Sequence, residues 1–250
     1  MLHTVWVVIA ALLVTIPASS ATIIVAMFSK STSPLLESII RWWARNLVKA
    51  AGITIRTENE GRLDPSQRYI LIANHYSYFD IPCILAAIHQ PIRFMAKASL
   101  FKIPIFGWAL NRAGFIPVDR KNRRLAVKSF EMAAQRIRHG NTIVIFPEEG
   151  RSRERTMRPF QRGAFLLALK SELPIVPLAV DGTFDVFRVG ARRVTPGVVT
   201  IRVGTPIPTI GRSVREKEPL ARQARAEIET MLFGAPQGEP PAESNAPAGT

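Results

Sequence analysis

The sequence is poor in the residues that build disulfide frameworks, metal clusters and acidic surfaces. Of its 250 residues, one is cysteine and four are histidine. An internal disulfide is therefore excluded, and a reducing compartment fits the single cysteine best. The 19 Asp and Glu residues are outnumbered by 33 Lys and Arg residues, which gives a formal net charge of +14 at pH 7. A chain with this balance is expected to meet anionic partners.

The basic residues are concentrated in the middle of the chain. Residues 91–170 hold 17 Lys and Arg against five Asp and Glu. Nucleic acid is one class of partner for such a region. However, the sequence contains no recognised nucleic-acid-binding module, and its aromatic residues are not interleaved with the basic runs as a stacking platform requires. We therefore expect no nucleic-acid partner, and we favour membrane lipids with anionic headgroups and phosphorylated substrates.

The N-terminal region has no charged residue between Thr4 and Phe28. As a helix, these residues would extend about 37 Å, which is enough to cross the hydrocarbon core of a bilayer. The sequence predicts a membrane anchor in residues 1–30. Two alternatives are a signal peptide cleaved after Ala21, and a segment that Pro17 breaks into a pair of helices or that lies at the membrane interface. We favour the retained anchor, because no basic region precedes the apolar run and apolar residues resume after Ala21.

The segment after the anchor indicates the topology. Basic residues follow the anchor, so the positive-inside rule predicts that the rest of the chain lies on the cytoplasmic face of the membrane. We expect this membrane to be a bacterial inner membrane. Leu35 to Ala51 has apolar residues at helical spacing, with charged residues turned elsewhere, and predicts an amphipathic interfacial helix within residues 31–52. The basic residues concerned are Lys30, Arg41, Arg45 and Lys49.

Residues 53–233 are expected to form one catalytic domain. Seven short apolar runs alternate with helical patterns, which predicts an α/β sandwich with a largely parallel sheet. Gly234 to Thr250 is rich in Pro, Ala and Gly and is expected to be a disordered tail. The strand-like runs lie near residues 53–57, 69–73, 92–95, 115–118, 142–146, 175–180 and 198–203.

The most informative motif is His75 with Asp80, directly after the strand-like run that ends at Ala73. On a regular helix, two residues five apart diverge by about 140°, so these side chains can meet only across a turn. Pro82 suits the first turn of a helix that starts near Asp80. The carboxylate can then hold one ring nitrogen as N–H and leave the other free to accept a proton. The alternative is that Asp80 is only a helix cap.

Three further loops have related character. The sequence FPEEGRS, residues 146–152, follows a strand-like run, and so does the charged pair Asp119–Arg120 at the end of the segment from Gly114. Val176 and Pro177 lie within another apolar run. In α/β sheets, ligands bind outside the carboxyl ends of strands, which is where FPEEGRS is expected to lie.

Together these motifs resemble those of the glycerolipid acyltransferases over roughly residues 50–210. In that family the first block reads Asn-His-x4-Asp, matched by Asn74, His75 and Asp80. The third is usually Phe-Pro-Glu-Gly-Thr-Arg-Ser. In this chain Glu149 stands at the usual Gly and Gly150 at the usual Thr, whereas Glu148 and Arg151 match.

The resemblance implies transfer of an acyl group from a thioester, acyl-CoA or acyl carrier protein, to the sn-2 hydroxyl of lysophosphatidic acid. The pair formed by His75 and Asp80 has no adjacent Ser or Cys nucleophile. It therefore suits direct transfer, with His75 as the general base and Asp80 as the group that orients the ring. Ser77 as an acylated nucleophile is the alternative. Arg side chains suit the acceptor phosphate. The substrate-binding residues are expected to be Lys97, Arg120, Glu148, Gly150 and Arg151.

Some alternatives stay open at this level. The acceptor is alternatively another lysolipid or a lyso-aminolipid, and from a different class the chain is a non-enzymatic basic protein of the membrane surface. A metal held by His75, Asp80 and Glu148 is conceivable, but the resemblance does not support it. We expect neither a metal nor a cofactor.

Overall fold

The computed structural model describes residues 1–30, 32–119 and 123–234. Seven strands form one sheet, and their bounds agree with the seven strand-like runs to within two residues. The strands are β1 (Ile53–Glu58), β2 (Ile70–Ala73), β3 (Ile92–Lys97), β4 (Ile116–Val118), β5 (Thr142–Ile145), β6 (Ile175–Asp181) and β7 (Gly197–Val203).

The sheet is largely parallel, as the alternating pattern predicted. Its strand order is β1-β7-β6-β2-β5-β3-β4, and among the named strands of the described residues only β6 and β7 pair antiparallel. Strands β2 to β6 therefore run in the same direction, while β1 and β7 run in the other. Because β2 lies between β5 and β6, the loops that follow these three strands leave from the same edge of the sheet.

Helices cover both faces of the sheet. Strand β2 shows why, since Leu71 and Ala73 belong to one apolar core and Ile70 and Ile72 to the other. A strand buried on both faces reads as a continuous apolar run, as is typical of parallel sheets. The helices are α1 (Leu2–Phe28), α2 (Pro34–Ala50), α3 (Asp80–Ala87), α4 (Phe106–Ala113), α5 (Arg123–Arg138), α6 (Gly163–Ser171), α7 (Thr183–Phe187) and α8 (Lys217–Phe233).

The first helix lies along the domain. Its N-terminal end contacts distant segments: the His3 ring is 3.3 Å from the Ala51 carbonyl, and Thr4 accepts a hydrogen bond from the Val194 N–H at 3.0 Å. Further along, the Trp43 indole N–H on α2 donates to the Thr15 hydroxyl at 2.9 Å. By length and composition α1 is able to cross a membrane. Of the residues in its most apolar window, 28% are buried against the rest of the protein. Most of this apolar surface is therefore exposed.

One alternative and one expectation about the N-terminal region are wrong. Helix α1 runs through Pro17 without interruption, so Pro17 does not divide the segment into a pair of helices. The charged residues of the amphipathic helix, Glu37 among them, were expected to turn away from its apolar face, but the Glu37 side chain is buried. The predicted disordered tail lies, apart from Gly234, outside the described residues.

Glu37 is buried because it pairs with an arginine in the sheet. Arg93 of β3 is fully buried, and its guanidinium lies 2.5 Å from the Glu37 carboxylate. The same guanidinium donates to the carbonyls of Ala113 and Ile92. A buried charge pair is tolerated when its remaining donors are also engaged. This network fastens α2 to the sheet and to the end of α4.

We expect Arg93→Met to destabilise the fold by about 3 to 5 kcal/mol, because it leaves the Glu37 carboxylate buried without a partner. Glu37→Leu combined with Arg93→Met should cost less than the sum of the single changes, since the double variant buries no lone charge. A double-mutant cycle of thermal unfolding in detergent measures this coupling.

The control for this cycle is the exposed pair Arg162–Glu218, at 3.1 Å. Arg162→Met should change stability by less than about 1 kcal/mol, since exposed ion pairs contribute little. Strict additivity of Glu37→Leu and Arg93→Met would show that the pair does not fasten α2.

Candidate active site

The loop that carries His75 connects β2 to α3 in residues 74–79. Asn74 starts it, and its buried amide makes two hydrogen bonds with the backbone of Val180 on β6, donating to the carbonyl at 2.9 Å and accepting from the N–H at 2.8 Å. This amide extends the ladder between β2 and β6 by one step beyond the strand. The loop therefore departs from a fixed point at the edge of the sheet.

His75 and Asp80 meet across this loop, as the spacing predicted. The Nδ1 atom of His75 lies 2.7 Å from Oδ2 of Asp80, which is fully buried at the start of α3. The same oxygen accepts the backbone N–H groups of Tyr76 and Ser77, each at 2.8 Å. Because an ionised carboxylate only accepts, we assign the ring proton to Nδ1. The Nε2 atom is then the nitrogen able to take a proton from a substrate.

The loop after β5 holds His75 through its backbone and its ring. Oε1 of Glu148 accepts the His75 N–H at 2.8 Å, and the Ser152 N–H donates to the His75 carbonyl at 2.9 Å. The imidazole stacks on Phe146 with ring centroids 4.0 Å apart. These contacts leave His75 little freedom, which keeps Nε2 in a constant position.

Glu148 is buried, and each of its two carboxylate oxygens accepts a hydrogen bond from a backbone N–H. Its second oxygen accepts the Arg158 N–H at 2.7 Å. Burial raises the pKa of Glu148 to about 7, against the two backbone hydrogen bonds that lower it. Substrate binding by Glu148 stays a prediction, and in the structure its carboxylate joins the loop after β2 to the loop after β5. Within residues 1–30, 32–119 and 123–234, no three His, Cys, Asp or Glu side chains are grouped so that they could hold a metal ion.

The displaced glycine in this loop has a clear structural outcome. Glu149, at the position where the related motif has Gly, takes a left-handed conformation with φ of 55°. Such a conformation costs an ordinary L-residue roughly 1 to 2 kcal/mol. At Gly150, a Cβ would lie 2.7 Å from the Arg158 guanidinium, the end of a flexible side chain. The backbone at position 149 therefore has a conformation that suits glycine, although the residue is glutamate.

Two other residues expected to bind substrate, Arg151 and Lys97, lie along one edge of the sheet. The guanidinium carbon of Arg151 lies 3.6 Å from the centroid of the Tyr78 ring, beside His75. Lys97 is exposed at the carboxyl end of β3, two strands from β2 and thus on the order of 10 Å away. Arg120 lies outside the described residues.

Ser77 is engaged elsewhere. Its buried hydroxyl donates to the Phe187 carbonyl at 2.8 Å and accepts the Phe79 N–H at 3.1 Å. A hydroxyl directed into the protein in this way does not face the free nitrogen of His75, which is two residues away in the same loop. The geometry therefore gives no support to an acylated Ser77.

One element of the site was missed at the level of sequence. Helix α7 follows β6, and the residue after it, Arg188, forms an isolated antiparallel bridge with Ser77. Phe184 of α7 meets Tyr76 edge to face, and Phe187 contacts Tyr78. The signal was available, because the loop after β6 leaves from the same edge as the loops after β2 and β5. Its five-residue helix, however, has no recognisable motif.

An apolar cavity of about 380 Å³ opens beside this loop. Its walls are formed by residues of α1, α2, α3 and α4, together with Phe94 and Phe115. Tyr78 and Phe79 of the His75 loop also line it. The site therefore has an apolar side and a basic side, and Tyr78 belongs to both.

Comparison with known proteins gives a consistent result. A family model described as Acyltransferase matches residues 54–181, more than half of the chain. The human 1-acyl-sn-glycerol-3-phosphate acyltransferase alpha is 30% identical over 195 residues, covering 78% of this chain and 69% of the human protein. A chloroplastic 1-acyl-sn-glycerol-3-phosphate acyltransferase, BAT2 of Brassica napus, is 31% identical over 139 residues, covering 55% of this chain. The match spans only 40% of the Brassica protein.

The fold also matches a solved structure. The crystal structure of the 1-acyl-sn-glycerophosphate (LPA) acyltransferase PlsC from Thermotoga maritima superposes with a TM-score of 0.78, covering 92% of this chain and 95% of that protein. The two sequences are 22% identical, so this similarity establishes the architecture.

The burial of Glu148 predicts a pH effect on stability. Its pKa in the folded state, about 7, lies above the ordinary value of 4.5, so the folded state holds the proton more tightly. The stability that this group contributes is present below about pH 4.5 and is lost as the pH rises to about 7. Replacing Glu148 by Gln, which stays neutral, should remove this loss, of about 3 kcal/mol. Thermal unfolding at pH 5 and pH 7.5 measures it.

Glu149→Gln is the matched control for this effect, because it removes the same charge from an exposed position in the same loop. Wild type and Glu149→Gln should lose stability in parallel between the two pH values, whereas Glu148→Gln should lose less. An equal change in all three proteins would contradict a raised pKa at Glu148.

The left-handed turn predicts opposite outcomes for two substitutions of Glu149. Glu149→Gly should keep or slightly raise stability, by less than about 1 kcal/mol, because relief of the backbone outweighs the added freedom of the unfolded chain. Glu149→Val should lower it by more than about 1 kcal/mol, since a β-branched residue tolerates positive φ poorly. Melting temperatures decide this, and a Val variant as stable as the Gly variant would contradict the turn.

Proposed function

This chain belongs to the acyltransferase family that includes the 1-acyl-sn-glycerol-3-phosphate acyltransferases, and we propose that it transfers an acyl group from a thioester to the sn-2 hydroxyl of lysophosphatidic acid, forming phosphatidic acid. The observation that carries this proposal is the position of the His75–Asp80 pair. It stands between an apolar cavity and an arginine, the two surroundings that an acylated phospholipid precursor requires.

His75 acts as the general base. Its free Nε2 takes the proton of the acceptor hydroxyl, while the Asp80 carboxylate at 2.7 Å stabilises the imidazolium that forms. The acceptor oxygen attacks the thioester carbonyl, so a C–O bond forms and the C–S bond breaks. The departing sulfur then receives the proton from His75. General-base assistance of this kind contributes about 10² to 10⁴ in rate.

The transfer is direct, without an acyl-enzyme. The Ser77 hydroxyl is hydrogen-bonded to the backbone on both sides. Cys83 is buried in α3, and burial raises the pKa of its thiol well above the ordinary range, so it stays protonated and poorly nucleophilic. Neither side chain of this segment is thus available as the first acyl acceptor.

The apolar surroundings suit the lipid parts of the substrates. The cavity beside Tyr78 takes the acyl chain, because its walls are almost entirely apolar. The exposed apolar face of α1 holds the protein on the membrane. Since α1 lies along α2, and α2 exposes Arg45 and Lys49, we infer that this pair of helices rests at the interface instead of standing across the bilayer. The basic residues near it favour the cytoplasmic leaflet.

The test is an acyl-transfer assay with the purified full-length chain in mixed micelles. Lysophosphatidic acid is offered with acyl-CoA and, separately, with acyl carrier protein that carries the same chain. We expect phosphatidic acid with at least one donor. Absence of transfer with both donors, from a folded protein, would favour the non-enzymatic alternative.

The roles of the pair predict the effect of two substitutions. His75→Ala should lower kcat by 10² or more without loss of folding, because the ring moves a proton and does not hold the core. Asp80→Asn should lose most activity as well, since the amide no longer favours the imidazolium. Initial rates at saturating substrate measure both.

His89 offers a matched control. Its Nδ1 lies 2.8 Å from the Glu60 carboxylate, but this pair is exposed and precedes β3, at the opposite edge of the sheet. His89→Ala should therefore keep the wild-type rate. A His75→Ala variant that retains more than roughly a tenth of that rate would rule out the mechanism.

A further inference from the structure

The loop after β5 is long and takes its shape from contacts with other segments. In the part of the chain that the structure describes, residues 146–162 form neither helix nor strand between β5 and α6. A connection of this length lacks a helix or sheet ladder of its own, so its backbone groups need partners elsewhere. One such partner is Glu148, which accepts the Arg158 N–H at 2.7 Å. The conformation near Arg158 therefore affects the carboxylate that holds His75.

Arg225 of α8 reaches this loop from a distant part of the chain. Its guanidinium donates to the Met157 carbonyl at 3.0 Å and to the Arg158 carbonyl at 2.7 Å. It also lies over the ring of Phe160, with the guanidinium carbon 5.5 Å from the ring centroid. Two consecutive carbonyls and one ring of a short segment thus contact a single side chain, which suits the rigid fork of arginine.

One peptide group connects Arg225 to Glu148. The Met157 carbonyl and the Arg158 N–H belong to the same planar peptide unit. Its oxygen accepts from the Arg225 guanidinium, and its N–H donates to the Glu148 carboxylate. A cation at the oxygen and an anion at the N–H both polarise this peptide, and hydrogen bonds in series strengthen one another. Arg225 is therefore the cationic end of a chain of contacts that continues through Glu148 to the His75 N–H.

The charge of Arg225 also acts on Glu148 directly. Burial raises the pKa of Glu148, whereas the charge of Arg225 lowers it. An ionised carboxylate accepts hydrogen bonds with both oxygens, but a protonated carboxyl carries a donor on one of them. Arg225 therefore favours the form of Glu148 that accepts from both loops.

Arg225 is itself held in place. Its guanidinium pairs with Glu229, one turn further along α8, at 2.9 Å. The inner face of α8 packs into the apolar core on one side of the sheet through Leu220, Ala224 and Ile228, which are fully buried. Because the helix is fixed and Glu229 orients the guanidinium, the donors of Arg225 meet the loop at a constant position.

We propose that Arg225 is a positioning residue for His75, acting through the Met157–Arg158 peptide group and the Glu148 carboxylate. The inference rests on the proposed function, in which Nε2 of His75 must meet the acceptor hydroxyl. The segment that matches the family model ends at residue 181, so this role belongs to a helix outside that segment. Displacing a reacting group by about 1 Å costs up to roughly 10²-fold in rate.

The test compares Arg225→Met and Arg225→Lys with wild type in the acyl-transfer assay, using the full-length chain in mixed micelles. Arg225→Met should lower kcat roughly tenfold. The KM values of lysophosphatidic acid and of the thioester should stay unchanged, because the side chain orients His75 and leaves substrate binding to other groups. Arg225→Lys should recover part of the rate, since it returns the charge without the fork.

Arg222→Met is the matched control, because Arg222 is exposed on the same helix and its loss changes the net charge equally. It should keep the wild-type kcat and KM values. The proposal is overturned if Arg225→Met and Arg222→Met act alike, or if Arg225→Met raises a KM and leaves kcat unchanged. Melting temperatures show which variants are folded. Should Arg225→Met not fold, Arg225→Lys takes its place, and a wild-type kcat in Arg225→Lys would then overturn the proposal.

A spectroscopic measurement separates this inference from the proposed reaction. The chain has four histidines, so selective isotope labelling of histidine gives four backbone amide signals in an NMR spectrum, and His75→Ala identifies the signal of His75. Hydrogen exchange of this amide should become about tenfold faster or more after Arg225→Met, because its bond to Glu148 is weakened. The other three signals should stay unchanged.

Unchanged exchange of the His75 amide would overturn the inference even if kcat falls. Faster exchange after Arg225→Met, in a protein whose wild type shows no acyl transfer, would retain the positioning of His75 by Arg225 and reject the proposed function.

Discussion

The arrangement of the site depends on one buried carboxylate that joins two loops. Glu148 accepts the His75 N–H with one oxygen and the Arg158 N–H with the other. Through these bonds the loop after β5 fixes the position of the loop after β2. The reactive ring, its stack on Phe146 and the approach of Arg151 all follow from this connection. Its cost is the desolvation of a charge, which appears as a pKa of about 7.

A second buried charge, on Glu37, is stabilised by its ion pair with Arg93. Arg93 and Glu37 fasten α2 to the sheet, and α2 in turn carries α1 through Trp43 and Thr15. Because α1 and α2 form two walls of the apolar cavity, this ion pair also sets the shape of the space proposed for the acyl chain. The N-terminal helices are therefore part of the substrate site as well as the region proposed to meet the membrane.

Three loops at one sheet edge divide the work between them. The loop after β2 carries the pair proposed for proton transfer, the loop after β5 holds this pair through Glu148, and the loop after β6 forms a backbone bridge between Arg188 and Ser77. Strand order makes this possible, since β2 is flanked by β5 and β6.

Much of the fold and the central pair of the site were readable in the residues themselves. Seven apolar runs bounded by turn residues determined the strands, and the spacing of His75 and Asp80 required a turn between them. Local patterns suffice for these features because they depend on neighbours in the chain. They also identified FPEEGRS as a site loop, although not what each side chain would contact.

The contacts made across the chain were decided only by the tertiary structure. The Glu148 carboxylate, predicted to bind substrate, accepts hydrogen bonds from amides 73 and 10 residues away, and Glu37 is buried against Arg93. Arg188 forms a backbone bridge with Ser77, which is 111 positions earlier in the chain. Such pairings are set by strand order and by which charges must be neutralised on burial. Sequence alone determined which segments form strands, helices and reactive loops, whereas the packing of those segments determined which side chain serves the chemistry and which holds the loops in place.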